Sequence, residues 1–388
     1  MAPAAISNVV EPGYVPSVVS YEKLRPYLQP NVLSNNGKVG ITGHGSEVLR
    51  WVLTNEDREE IDRAIQHFKG LSLRRSADCI DASSFPLPTL GPKLRELSRR
   101  LEDEQDYCLL LGFKADEYST ADNIMIQAGV CSYVGNKRGM AGGEGGDKNV
   151  VHHITPLPAS FASTVTNKYH GPPNTTMAMP FHTDAGQIVS LYTIVGSKSG
   201  GRTYLASTSR IVEEMAKHCP DLIPVLVRPW SIIPTIPGAE CGSERPLLFY
   251  DPKGKPIISC SRARITGTPS QPRPRSLPPL SEEQMLALDA LHYFGQAVAT
   301  PFDLETGHML FFNNMRTMHA RDKIFMTKWA GGRRDKQRHL TRLILRDETR
   351  PWYVPEGLRA EMSAIYDHEP EDEEFQMTKS LFSWEASH

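Results

Sequence analysis

Thirteen histidines are spread along the chain, and only His182 is followed two residues later by a carboxylate, in the stretch Pro180-Phe-His-Thr-Asp-Ala-Gly186. If this stretch is extended, His182 and Asp184 project to one side, because strand side chains alternate with a period of two. An imidazole beside a carboxylate is two thirds of a facial metal site. A second histidine from elsewhere would complete the two-histidine, one-carboxylate set that holds Fe(II) on one face and leaves three positions open. Two later stretches bear on this. The apolar run Met309-Leu-Phe-Phe-Asn-Asn314 turns abruptly polar and leads to His319. Beyond it, Arg338 and Arg342 alternate with His339 and Thr341, so on a strand the two arginines share a face. Guanidiniums aimed into a β core are costly unless anions meet them. Bidentate pairing with a ligand carboxylate is one solution; a salt bridge to a protein acid is the other.

The elements that must carry these residues are mostly short strands. Tyr107–Phe113, Asn123–Val134, Ile188–Val195, His308–Asn313 and His339–Arg346 read as strands, and Gly200-Gly-Arg-Thr-Tyr204 as a turn entering another. Several more lie between 222 and 268, cut by Pro, Gly and charged turns. Helices are expected near 55–69, where Thr54 and Asp57 form a cap pattern ahead of Ile61, Ala64, Ile65 and Phe68, and near 92–104 and 209–218. A further helix begins at the capping box Ser281/Gln284. Many short strands without a βαβ rhythm indicate a mainly β fold with flanking helices, a sandwich or barrel-like jelly roll. The organisation expected is an N-terminal arm and helical flank over 1–100 and a catalytic β domain over 101–350. A Pro-rich connection near 269–279 interrupts that domain, and an acidic, solvated tail occupies 351–388. The glycine-rich stretch 135–149 lacks the Gly-Lys-Ser/Thr ending of a phosphate loop and reads as a lid or surface loop. The pairs His152/His153 and Lys168/His170 read as surface or pocket-rim residues.

Composition narrows the function classes. The 388 residues carry a net charge of -2, which gives no nucleic-acid footprint. No apolar run approaches a membrane span, and no basic-then-apolar leader opens the chain. The six scattered cysteines contain no C-x-x-C, as expected of reduced thiols in a cytoplasmic protein.

In order, His182-Thr-Asp184, Gly200-Gly-Arg-Thr203, the Asn313-Asn314 stretch ending at His319, and Arg338-x-x-x-Arg342 resemble the taurine/2-oxoglutarate dioxygenase-like (TauD/TfdA) family, in its fungal-type branch. The resemblance covers roughly residues 100–350. It implies a double-stranded β-helix (jelly roll) and an oxygenase that uses Fe(II), 2-oxoglutarate and O2 and releases succinate and CO2. Carried over by position, His182, Asp184 and His319 would bind iron, and Thr203 and Arg338 the distal carboxylate of 2-oxoglutarate. Arg342 would sit nearer the primary substrate, a small molecule for which an anionic group, as on an amino acid or other carboxylate, would neutralise the second arginine. One departure is Met315, where relatives often have arginine. Halogenating relatives replace the metal carboxylate by a small residue; Asp184 is present, so hydroxylation, desaturation or oxidative cyclisation is expected. A jelly-roll Zn or Mn hydrolase or isomerase, and a non-catalytic binding protein of the same fold, are the competing readings. The oligomeric state is not legible.

Overall fold

The computed structural model describes residues 49–71, 77–103, 107–140, 149–156, 172–233, 243–267, 272–325, 338–370, 373–375 and 377. The expectations for residues 1–48, for the tip of the glycine-rich stretch at 141–148, and for Lys168/His170 and Cys241 lie outside them.

Two sheets face each other. The larger has strand order β1 (Leu49–Val52), β2 (Tyr107–Leu111), β13 (Met309–Asn313), β6 (Ile188–Val195), β15 (His339–Arg346) and β3 (Lys137–Arg138), with β4 (His152–Ile154) also paired to β15. The smaller runs β12 (Thr300–Phe302), β7 (Thr203–Ser207), β14 (Thr317–Arg321) and β5 (Met179–His182). Among the described strand pairs of the two sheets, β1–β2 alone is parallel. Alternation along each strand assigns one face to the space between the sheets and the other to the helices. Leu109, Val189, Leu191, Leu205, Leu310, Phe312 and Leu340 fill the space between the sheets. This is the double-stranded β-helix that the sequence implies.

The outer faces explain the helices. Helix α1 (Asn55–Gly70) starts at Thr54, whose side chain accepts from the Asp57 N–H while Asp57 accepts from the Thr54 N–H. Its buried residues Ile61, Ala64, Ile65 and Phe68 are those expected. With α2 (Leu90–Asp103) and α3 (Thr120–Val134) it covers the larger sheet. Segment 123–134 was expected as a strand and belongs to helix α3, because its buried residues are spread all round the helix, so neither periodicity is visible in it. Ser119 caps it, and its polar residues are spent on the sheet: Tyr192 donates to Asn123 at 2.8 Å and Thr341 to Gln127 at 2.6 Å.

On the other side, α4 (Thr208–His218) and α7 (Glu282–Val298) pack on the smaller sheet together with α5 (Ile223–Val227) and α6 (Arg262–Thr266). Between α5 and α6 lie two hairpins, β8 (Trp230–Ile232) with β9 (Ser243–Arg245), and β10 (Leu248–Tyr250) with β11 (Pro256–Ile258). Described residues of the Pro-rich connection, 272–279, are largely exposed, as expected. The tail differs from a solvated end. Helix α8 (Arg359–Tyr366) packs into the main core, and Glu373 is buried in an ion pair with Arg138 at 2.6 Å.

Candidate active site

The register of β5 against β14 brings the two histidines together: His182 lies directly opposite His319. Their rings are 4.1 Å apart between centroids. Asp184 follows β5 by two residues, past the end of the strand, and still turns its carboxylate between them. Its Oδ1 is 3.9 Å from His182 Nε2 and its Oδ2 is 3.7 Å from His319 Nε2. One ligand atom from each of the three lies within 4.8 Å of the others, the only such cluster among the described residues. His319 was expected just beyond a strand; it lies within one, β14, on the inward face between Thr317 and Arg321.

The protonation states suit a cation. His182 hydrogen-bonds through Nδ1 to the Pro180 carbonyl at 2.8 Å, which places the proton on Nδ1 and leaves the Nε2 lone pair free. Burial pushes both imidazoles down, His319 to about 3, so both are neutral at pH 7. Burial opposes the charge on Asp184, yet the charge and hydrogen bond of Arg342 lead the interactions that hold the carboxyl well below the usual carboxylate range. Two neutral imidazoles and an ionised carboxylate fit a divalent iron.

The turn bearing Asp184 is clamped. Its N–H donates to Asn314 Oδ1 at 2.9 Å, and Asn314 Nδ2 donates to the carbonyls of Asp184 and Gly186, each at 2.8 Å. Gly186 has φ +85°, and a Cβ there would sit 2.1 Å from Ile344 and 2.6 Å from the Tyr366 hydroxyl. That hydroxyl accepts from the Gln187 N–H at 2.9 Å and donates to the Leu345 carbonyl at 2.8 Å. Asn314 and Tyr366 are thus supports of the site that sequence reasoning did not assign.

Arg338 and Thr203 are both buried. Thr203 is buried on β7, on the same strand face as Leu205 and so toward the space between the sheets. Arg338 precedes β15, is 6% exposed, and lies against Gly201, whose added Cβ would be 3.2 Å from its Nε. Its Nη1 is buried without a hydrogen-bond partner. Burial, reinforced by Arg321, pushes its guanidinium down to about 9. A buried, protonated guanidinium whose Nη1 lacks a partner is suited to meeting an anion.

Arg342 departs from expectation. It was expected to leave a charge for the substrate, but its Nη1 donates to Asp184 Oδ2 at 2.7 Å. The protein acid that meets it is the carboxylate of the histidine cluster itself. A bulge between His339 and Leu340 also breaks the simple alternation expected to align Arg338 with Arg342. His153 is not a rim residue, being buried and stacked on His339, whereas His152 is only partly buried and stands opposite Arg342 in the register of β4 with β15.

Two facing sheets with a two-histidine, one-carboxylate cluster between them are the scaffold of a non-haem oxygenase. The family model described as "Taurine catabolism dioxygenase TauD, TfdA family" matches residues 53–344. A "Taurine hydroxylase-like protein SAT17" from Stachybotrys chartarum is 33% identical over 346 residues, covering 87% of this chain and 85% of that protein. Among solved structures, asparagine oxygenase in complex with Fe(II), 2S,3S-3-hydroxyasparagine and succinate aligns with a TM-score of 0.56 at 17% identity, over 77% of this chain and 94% of that one. Non-heme iron oxygenase OrfP in complex with Fe and alpha-ketoglutaric acid aligns at 0.53 and 16% identity, over 77% and 94%. The chain belongs to the TauD/TfdA family and is an Fe(II)/2-oxoglutarate-dependent dioxygenase. Family membership sets aside the hydrolase, isomerase and non-catalytic readings. No helix among the described residues is long and apolar enough to cross a membrane.

Proposed function

We infer that this dioxygenase oxidises a small molecule bearing a carboxylate, such as an amino acid, by hydroxylation, desaturation or oxidative cyclisation in secondary metabolism. The single observation that carries the assignment of the site is the convergence of His182, Asp184 and His319 within 4.8 Å, with the unpaired guanidinium of Arg338 buried nearby. In this reading His182, Asp184 and His319 hold Fe(II), while Thr203 and Arg338 take the distal carboxylate of 2-oxoglutarate. Iron, 2-oxoglutarate and O2 together supply the oxidant and release succinate and CO2.

The chain's own part is binding and orientation. Asn314 and Tyr366 keep the Asp184 turn rigid, so the carboxylate is presented without reorganisation. Arg342 shares Asp184 and keeps it ionised. Which of the three outcomes follows depends on where a C–H bond is held, to about an ångström. The similarly folded oxygenases solved with 2S,3S-3-hydroxyasparagine and with (3S)-hydroxy-L-Arg support the amino-acid reading by analogy. The five free thiols among the described residues support a cytoplasmic setting.

The test is succinate formation from 2-oxoglutarate, dependent on both O2 and Fe(II), measured while a panel of amino acids and small carboxylates is screened for stimulation. Stimulation with an oxidised product is the expected result. Formation of succinate stimulated only by neutral compounds would remove the carboxylate part of the reading, and no succinate under any condition would remove the site assignment.

A further inference from the structure

His292 is a buried imidazole, 4% exposed, on the face of α7 that packs against β5. Among the described residues β5 is the last strand of the smaller sheet, so its outer edge needs partners other than a strand. Two elements supply them. The Phe181 N–H donates to His292 Nδ1 at 3.3 Å. Two residues on, the Thr183 N–H donates to the Cys260 carbonyl at 2.8 Å, and the Cys260 N–H donates back to the Thr183 hydroxyl at 2.9 Å. A buried ion pair ties the two closures together: Arg262, just beyond Cys260, meets Asp289, one turn ahead of His292. Gly295 lets the helix lie close, since a Cβ there would be 3.0 Å from the Phe181 ring. The other ring nitrogen of His292, Nε2, is buried with no hydrogen-bond partner among the described residues. A leucine would fill the space without stranding a polar atom. What the imidazole adds is an acceptor for the Phe181 amide. Burial, helped by Arg262, pushes its pKa down to about 3, so Nδ1 keeps the lone pair that accepts.

That amide is half of one peptide group. The other half is the Pro180 carbonyl, which accepts from His182 Nδ1 at 2.8 Å. The peptide is trans, so its N–H and C=O point in opposite directions within one rigid plane. A single line of contacts therefore runs from His292 Nδ1 through the Pro180–Phe181 peptide to His182 Nδ1, and across that ring to the Nε2 that faces Asp184. We propose that His292 is a positioning residue for His182, acting through this peptide. It fixes the plane whose carbonyl sets the tautomer and rotation of the ring. An N–H that has found an acceptor also makes the carbonyl of its own peptide a stronger one. The His182 Nδ1–H is then held more firmly, and Nε2 becomes the better donor to a metal. This rests on the reading of His182 as a metal ligand under Proposed function, and adds to it a residue from a helix outside the sheets.

The experiment titrates the metal-free, full-length protein with Co(II) and records the visible ligand-field bands, which report the geometry of the ligands. His292→Leu should bind Co(II) about tenfold more weakly, with its bands displaced from those of the wild type. His292→Asn, whose Oδ1 can accept the Phe181 N–H where Nδ1 did, should bring the affinity back to within about threefold and restore the bands. Leu288→Ala is the packing control. It empties part of the buried face of the same helix without touching the peptide. It should lower the denaturation midpoint yet leave Co(II) affinity within about twofold and the bands unmoved. If His292→Leu does not fold, His292→Phe makes the same comparison. The proposal is overturned if the apolar variant keeps wild-type affinity and bands, if His292→Asn is no better than the apolar variant, or if Leu288→Ala weakens Co(II) as much as His292→Leu does. That last outcome would assign the effect to helix packing. Failure of the wild-type protein to bind Co(II) would instead refute the metal-site assignment on which the proposal rests.

Discussion

Replacing Arg338 by methionine should move stability and co-substrate affinity in opposite directions. The cation is 6% exposed and unpaired at Nη1, and burial lowers its pKa from 12.5 to about 9. That fall corresponds to a folded-state penalty on the order of 4 kcal/mol. A guanidinium stays protonated at pH 7 in both folded and unfolded chains, so the penalty is present in full there. Methionine keeps much of the aliphatic stem and removes the charge, so the ligand-free protein should gain about 1–3 kcal/mol. With Arg338 taken as the proposed seat of the distal carboxylate, the same change would deprive 2-oxoglutarate of its charged partner. Losing one side of a buried, hydrogen-bonded charge pair costs about 2–5 kcal/mol, roughly thirtyfold to several-thousandfold in affinity. Chemical denaturation of the metal-free protein measures the first effect, and the thermal shift caused by 2-oxoglutarate with Mn(II) measures the second. An Arg338→Met protein that is less stable than wild type and still binds 2-oxoglutarate within threefold would refute the reasoning.

Asp184→Ala and His319→Ala should both abolish iron-dependent succinate formation, but only Asp184→Ala should cost about 3 kcal/mol or more in denaturant, because it strands the Arg342 guanidinium. Asn314→Ala removes three hydrogen bonds to the Asp184–Gly186 turn and should weaken Fe(II) about 10- to 100-fold in a metal titration, with the far-ultraviolet circular dichroism unchanged. Acid should destabilise the metal-free protein early. His152, His292 and His319 keep folded pKa values near 3 against an ordinary 6.5, so the unfolded chain binds more protons below pH 6.5. Stability is therefore lost as pH falls from 6.5, by up to about 1.4 kcal/mol per pH unit for each ring. Denaturation at pH 7 and pH 5 measures this, and His292→Phe should reduce the slope by about one proton.

Much of the site was legible because its signals are local. The His182/Asp184 spacing, the two capping boxes and the Gly200-Gly201 turn depend on neighbours within a few residues, and the structure realises each of them. What was not legible depends on depth or on partners distant in sequence. Helix α3 is buried on all sides, so its pattern carries no period. Strand β14 alternates Thr317, His319 and Arg321 inward with Met318 and Ala320 outward, and all three inward residues are polar because the strand builds the site, which disguises it as a loop. His152 resembles any other histidine until its register with Arg342 is known, and the Arg342–Asp184 contact joins residues 158 apart. The acidic tail misled for the same reason: Glu373 is neutralised by Arg138, 235 residues away.

The Tyr366 clamp has a consequence for how the enzyme comes into being. The family match ends at residue 344, yet the turn that presents Asp184 leans on a hydroxyl supplied 22 residues later. Chains are made from the N-terminus onward. The two histidines and the aspartate are therefore all synthesised well before the residue that holds their geometry. A nascent chain can carry all three residues of the cluster and still lack the two Tyr366 hydrogen bonds until residue 366 has been made.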